Sequence, residues 1–143
     1  MTMHLRGRAG GYRLLIPATS VLDVWTDEAT SDEAPTWHGR VLPYVDGRAL
    51  LGEEGQAPAR TLVVYGENAD DPRAVILGLD EVMGSVALAP DMLRPFPPAL
   101  AMAHRLFDGT ATLPGEPVSL LRLRAGLDLA SLAEIRVRTP SPT

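Results

Sequence analysis

The chain of 143 residues contains no cysteine, so it has no disulfide, no thiolate metal site and no cysteine nucleophile. That composition fits a reducing cytoplasm. It also contains no lysine: all 13 basic residues are arginine, which reads as a codon bias rather than a functional signal. Arg6 and Arg8 are the nearest approach to a basic cluster and the net charge is -5. Together these exclude the electrostatic footprint expected of a nucleic-acid partner. Aromatics make up 5% of the residues, so a core must be built from Leu, Val and Ala. No apolar run approaches the length of a membrane span, and "MTMHLRGRAGG" is not followed by the apolar stretch of a signal peptide. The expectation is a cytoplasmic protein without direct membrane insertion.

What is present points to strands. Apolar residues are 45% of the chain, and a domain of this size buries roughly 70% of its unfolded surface. Residues 1–138 are expected to form one domain, with 139–143 a loose tail. The apolar runs are short and separated by Gly, Pro, Asp and Asn: "YRLLIPATSVLDVW" (12–25), "RVLPYV" (40–45), "TLVVYG" (61–66), "RAVILGLDEVMGSVAL" (73–88) and "VSLLRLR" (118–124). "GENADDPR" (66–73) suits a hairpin connection. In the last run Leu121 and Leu123 are expected to face inward and Arg122 and Arg124 to face water. "AVIL" (74–77), apolar on both faces, belongs in a central strand. An all-β fold follows, with two short helices: "PPALAMAHRLFDG", with Pro98 in the first turn and Gly109 at its end, and "LDLASLAEI" (127–135), capped by Asp128.

No candidate chemical site in the sequence forms a complete catalytic constellation. Asp27, Glu28, Asp32 and Glu33 lack the spacing and glycine of a calcium loop and read as a solvated loop. His4, His38 and His104 lack metal-ligand spacing. Ser20, Ser85 and Ser119 sit in no nucleophile elbow. The glycines at 7–11 lack the helix and lysine of a phosphate loop and read as a flexible lead-in to the first strand. Asp46, Asp80 and Glu81 could act as acid or base if buried near a cleft, but Asp46-Gly47 and the position of Asp80 at a strand end suit turns. The remote enzyme reading, a β-barrel hydrolase, would pair Asp46 or Asp80 with His38 or His104.

The order of these segments resembles the CheW-like domain of bacterial chemotaxis coupling proteins, from about Tyr12 to Leu132. Val21, Asp23 and Val24 fill its first strand motif. Gly39, Pro43, Val45 and Asp46 fill the next, where His38 stands for the family's arginine and Gly47 for the following leucine. Gly78, Leu79, Asp80, Val82, Met83 and Gly84 fill a third, followed by "LRPFP" at 93–97. Leu106 to Gly109 and Leu120 to Leu123 resemble the closing hairpin. The family's longer segment before the Arg-Gly is replaced here by the acidic loop and "APTWHG".

The resemblance implies an all-β fold of two small five-stranded SH3-like β-barrels packed together, with one or two short helices. It implies a non-enzymatic adaptor without catalytic residues, cofactor or metal. Its partners would be a chemoreceptor's cytoplasmic tip and the regulatory domain of a chemotaxis histidine kinase. The shortened segment suggests a second reading, a diverged binding protein that has lost one partner and serves another two-component pathway. Protein-interaction candidates are Val21, Asp23, His38 and Gly39 by resemblance. Trp25 and Trp37 join them because they flank the acidic loop, one of the two being expected to be exposed.

Overall fold

Among residues 1–26, 36–51, 61–95 and 105–132, which the computed structural model describes, the apolar runs condense into eleven strands. A five-stranded sheet has the order β10-β11-β2-β1-β9, from β1 (Thr2–Ala9), β2 (Tyr12–Pro17), β9 (Glu81–Leu88), β10 (Phe107–Ala111) and β11 (Leu120–Leu123). A four-stranded sheet has the order β3-β7-β8-β6, from β3 (Val21–Thr26), β6 (Tyr44–Asp46), β7 (Thr61–Tyr65) and β8 (Val75–Leu79). β4 (Thr36–Trp37) and β5 (Arg40–Val41) form a separate two-stranded ribbon. The all-β expectation holds. Two closed five-stranded barrels are not what the ladders form: among the described residues the second sheet has four strands, and neither sheet closes on itself.

The sheets stack as apolar layers. Leu14, Ile16 and Ala9 of the five-stranded sheet meet Val63, Tyr65, Val75, Leu77 and Leu79 of the four-stranded sheet in a shared core. β8 is buried along its whole length, so its other face also needs cover. Ala74, Ile76, Leu62 and Val64 find it under Trp37 and Leu42. A third cluster, Leu15, Leu88, Ala111, Leu113 and Leu120, lies on the far face of the five-stranded sheet. Each fully buried Leu or Ile contributes about 1.5–3 kcal/mol relative to exposure, so the central layer dominates.

Two runs that look continuous are each cut between sheets. β2 passes through a 3-10 turn, η1 (Ala18–Ser20), into β3, and β8 passes through Asp80 into β9. The expected flexible lead-in is instead the eight-residue strand β1, paired on both edges by β2 and β9. The reason is non-local: Leu5 and Ala9 are apolar at period two and join the central core. Arg122 is half-buried rather than simply turned to water, because its face of β11 is the one carrying fully buried Leu120; its side chain stays 24% exposed.

The segment around Pro43 behaves differently from a single strand. β5 ends at Val41, Leu42 drops into the outer core, and Pro43 accepts from Ile76 N at 2.9 Å before edge strand β6 begins. A residue without an N–H suits that edge. Asp46 then caps a short helix, α1 (Gly47–Leu50), by accepting from Arg48 N at 2.9 Å, rather than turning a hairpin. A Cβ at Gly47 would lie 2.7 Å from the Gly78 carbonyl oxygen, so only glycine lets α1 sit against β8. "GENADDPR" does connect the antiparallel pair β7 and β8. Asp128 accepts from Ser131 N and Oγ and caps a helical turn at 129–132. The acidic loop, the body of the "PPALAMAHRLFDG" helix with His104, and the tail lie outside the described residues; Gly109, expected to end that helix, lies instead inside strand β10.

Candidate functional site

Of the sequence candidates, Asp23, Trp25, Trp37 and His38 gather on the outer side of the four-stranded sheet, whereas Val21 packs on the central core. Trp37-His38-Gly39-Arg40 forms a two-residue hairpin whose central residues have φ of +50 and +76. These are the angles of the turn that matches strand twist, and they explain the glycine. The turn swings the Trp37 indole into the outer core and stacks the His38 ring on it, centroids 4.0 Å apart and planes 26° apart.

A buried indole N–H needs an acceptor, and Asp23 on edge strand β3 supplies it: Trp37 Nε1 donates to Asp23 Oδ2 at 3.0 Å. Asp23 Oδ1 accepts from Val24 N at 2.8 Å. A register shift between Val21 and Asp23 helps explain the alternation. Val21 packs on the central core, Leu22 and Trp25 pack on the outer one, and Asp23 and Val24 remain exposed. Asp23, Trp37 and His38 are therefore one cluster, with Gly39 exposed beside it. Val21 and Trp25 belong to the packing beneath. Neither tryptophan is exposed: Trp37 is buried and Trp25 half-buried.

Arg40 fastens the ribbon to the next loop by donating to the Ala69 and Asp71 carbonyls at 2.6 and 3.0 Å. Within that loop the Asp71 carboxylate accepts from Glu67 N and Arg73 N, both at 2.9 Å, and these amides hold it below its usual range. On the ribbon and β6, Val41 is 67% and Tyr44 45% exposed.

The groups considered for acid–base work are engaged elsewhere. Asp80 takes Arg48 in a bidentate pair, Nε to Oδ2 and Nη2 to Oδ1 both at 2.8 Å, and accepts from Gly10 N at 2.5 Å. Burial pushes its carboxyl up, but Arg48, the Gly10 amide and Arg8 outweigh burial and hold it below the usual range. Because Asp80 joins β8 to β9 while Gly10 turns β1 into β2, this pair staples the two sheets together. Asp46 is occupied as a cap and His38 in its stack. No group of three or more metal-ligating side chains occurs among the described residues.

Sequence reasoning missed the second tie between the sheets. Tyr65 Oη donates to the Arg124 carbonyl at 2.5 Å and accepts from Leu127 N at 3.0 Å. That hydroxyl holds the segment after β11 against the end of β7, where Leu129 is fully buried in the central core. A tyrosine ending an apolar strand was its one local signal.

Comparison with known proteins gives fold without close kinship. No family model matches the chain, and no curated protein matches it. Among solved structures, the scaffolding protein TtCheW from Thermoanaerobacter tengcongensis superposes with a TM-score of 0.67 at 12% identity, covering 86% of this chain and 88% of that one. The fold is CheW-like. No helix among the described residues is long and apolar enough to cross a membrane.

Proposed function

We propose that this CheW-like chain is a cytoplasmic, non-enzymatic adaptor that couples a chemoreceptor's cytoplasmic tip to the regulatory domain of a chemotaxis histidine kinase. The observation that carries the reading is the superposition on a scaffolding protein over 86% of the chain. The Asp23, Trp37 and His38 cluster supports it, because two residues that the family resemblance selects, Asp23 and His38, are both exposed and are joined through the buried Trp37 indole. The proposed working unit is a single domain ending near residue 138, with a short tail beyond.

In this reading the surface recognises a partner through shape and a few fixed polar groups. Asp23 is pre-positioned by the Val24 amide and the Trp37 indole, so little side-chain entropy is lost on binding. Val41 of β5 and Tyr44 of β6 add further exposed apolar area. The test is co-precipitation of the purified chain with the kinase domain and the receptor tip, separately and together. Capture of both is the expected result. Asp23→Arg is expected to weaken one of the two by at least about tenfold while the protein stays folded, since a reversed charge at an interface is repelled.

Capture of one partner alone would favour the diverged protein serving another two-component pathway. The short ribbon β4–β5, standing where the family has a longer segment, is the feature that favours that second reading. Failure of the folded wild type to capture either partner removes both.

A further inference from the structure

The far face of the five-stranded sheet holds a fully buried histidine that the binding surface does not use. His4 of β1 has Nδ1 at 2.9 Å from the Thr2 carbonyl, which can only accept, so Nδ1 carries the proton. Arg122 Nε, which can only donate, lies 2.9 Å from Nε2, so Nε2 is bare. The partners thus require one tautomer of the neutral ring. Arg122 Nη1 in turn donates to Asp108 Oδ2 at 2.8 Å. The chain Thr2–His4–Arg122–Asp108 ties β1 to the β10–β11 hairpin across β2, whose Leu15 lies beside Arg122 in the ladder.

We propose that His4 is an acid-sensitive latch: a proton added at Nε2 expels the Arg122 guanidinium and frees the β10–β11 hairpin from β1. The proton occupies the lone pair that Arg122 now uses, and two N–H groups cannot share that position. Arg122 keeps its Asp108 partner, so the break falls between β1 and β11.

The surroundings oppose protonation. The charged groups on or beside this face, among the described residues, include Arg6 and Arg8 of β1, Arg13 of β2, Glu81 of β9, Arg122 of β11, Asp108 of β10 and Glu116 of the turn before β11, with Arg8 paired to Glu81 at 3.5 Å. Opposite His4, β9 sets the uncharged Val86. Arg6 pairs with Glu116, and Arg13 reaches Glu116 at 4.0 Å and Met83 Sδ at 3.0 Å. Burial drives the imidazole below its ordinary value; the Thr2 carbonyl opposes this, Arg122 adds to it and Asp108 offsets part. A lowered folded-state value makes the neutral ring stabilising above about pH 6.5, the ordinary value. That stability is lost as pH falls through the folded value. The consequence reaches further, because the hairpin continues into the segment that Tyr65 holds on the other sheet. This inference does not depend on which proteins the fold binds.

The test is nitrogen-15 NMR of the assigned His4 ring in the full chain. It is combined with amide exchange, corrected for intrinsic rates, from about pH 7.5 to about pH 4.5, a window extended well below the ordinary histidine value because burial lowers that of His4. At neutral pH the ring is expected to show a bare Nε2. Protection at residues 120–123, relative to 75–79, is expected to fall with ring protonation, by up to about tenfold per pH unit for one proton. His4→Gln, which can accept from Arg122 but cannot titrate, is expected to abolish that fall. A protonated Nε2 at neutral pH overturns the proposal. So does a ring that stays neutral until global unfolding, level protection while His4 titrates, or the same fall in His4→Gln. If His4→Gln does not fold, Arg122→Met replaces it: His4 is then expected to titrate closer to its ordinary value, and an unchanged titration overturns the proposal.

Discussion

The two sheets solve burial in opposite ways. In the four-stranded sheet β8 is apolar on both faces and lies between two hydrophobic clusters, so the burial of its side chains is a matter of packing. In the five-stranded sheet one face is equally apolar, but the other carries His4, Arg6, Arg13 and Arg122 beside a smaller cluster of leucines. Packing tolerates no missing volume, whereas paired polar groups tolerate no missing partner. The first sheet should therefore fail on truncation and the second on neutralisation or a change of protonation.

Truncation should have the largest effect. Leu77→Ala, in the centre of β8, is expected to cost about 3–4 kcal/mol in urea unfolding. A loss below about 1 kcal/mol would show that this sheet repacks and would break the contrast. Asp80→Ala tests the staple between the sheets and should cost about 3 kcal/mol, because Arg48, only 20% exposed, is left without its carboxylate. Next comes Tyr65→Phe, expected to cost about 1–3 kcal/mol by leaving the Arg124 carbonyl and Leu127 amide without that partner. Amide exchange at 124–132 should accelerate more than exchange in β8; equal acceleration would argue against a local tie.

Asp23→Ala should cost about 1–2 kcal/mol, because the buried Trp37 indole N–H loses its acceptor. Loss of partner capture beyond what that destabilisation produces, measured where the variant stays folded, separates a binding role from a structural one. The gentlest probe is acid. Asp71 and Asp80 have folded values below the ordinary carboxylate value of 3.8. Their stabilisation is thus present above that value and lost as pH falls through the folded ones. The urea midpoint should decline below about pH 4 for these carboxylates, and Asp80→Asn should flatten the decline. A steeper decline in Asp80→Asn would contradict the assignment.

Much of this contrast was legible beforehand. The two-sided apolar run at 74–77 marked β8 as central, Asp128 marked a helix cap, and the loop at 66–73 marked a hairpin. Asp23 and His38 were selected by their motif positions, and Trp37 by its place beside the acidic loop; the structure adds that all three touch. Less was readable where a local pattern has two outcomes. Asp-Gly at 46–47 serves a hairpin and a helix cap equally well, and the packing of Gly47 against Gly78 decided between them. Arg122 alternates with leucines as a solvent-facing residue would, yet His4, distant in sequence, turned that face inward.

The sequence by itself determined that the chain makes short strands, which positions are apolar, and that no thiol chemistry is available. Those are properties of side chains and of their spacing along one strand. Only the tertiary structure decided that runs 12–25 and 73–88 are each divided between two sheets, at Ala18–Ser20 and at Asp80. Both halves of each run are rich in apolar residues, so period and hydrophobicity cannot locate the cut. Sheet membership is settled by hydrogen bonds and ion pairs to partners far away in the chain.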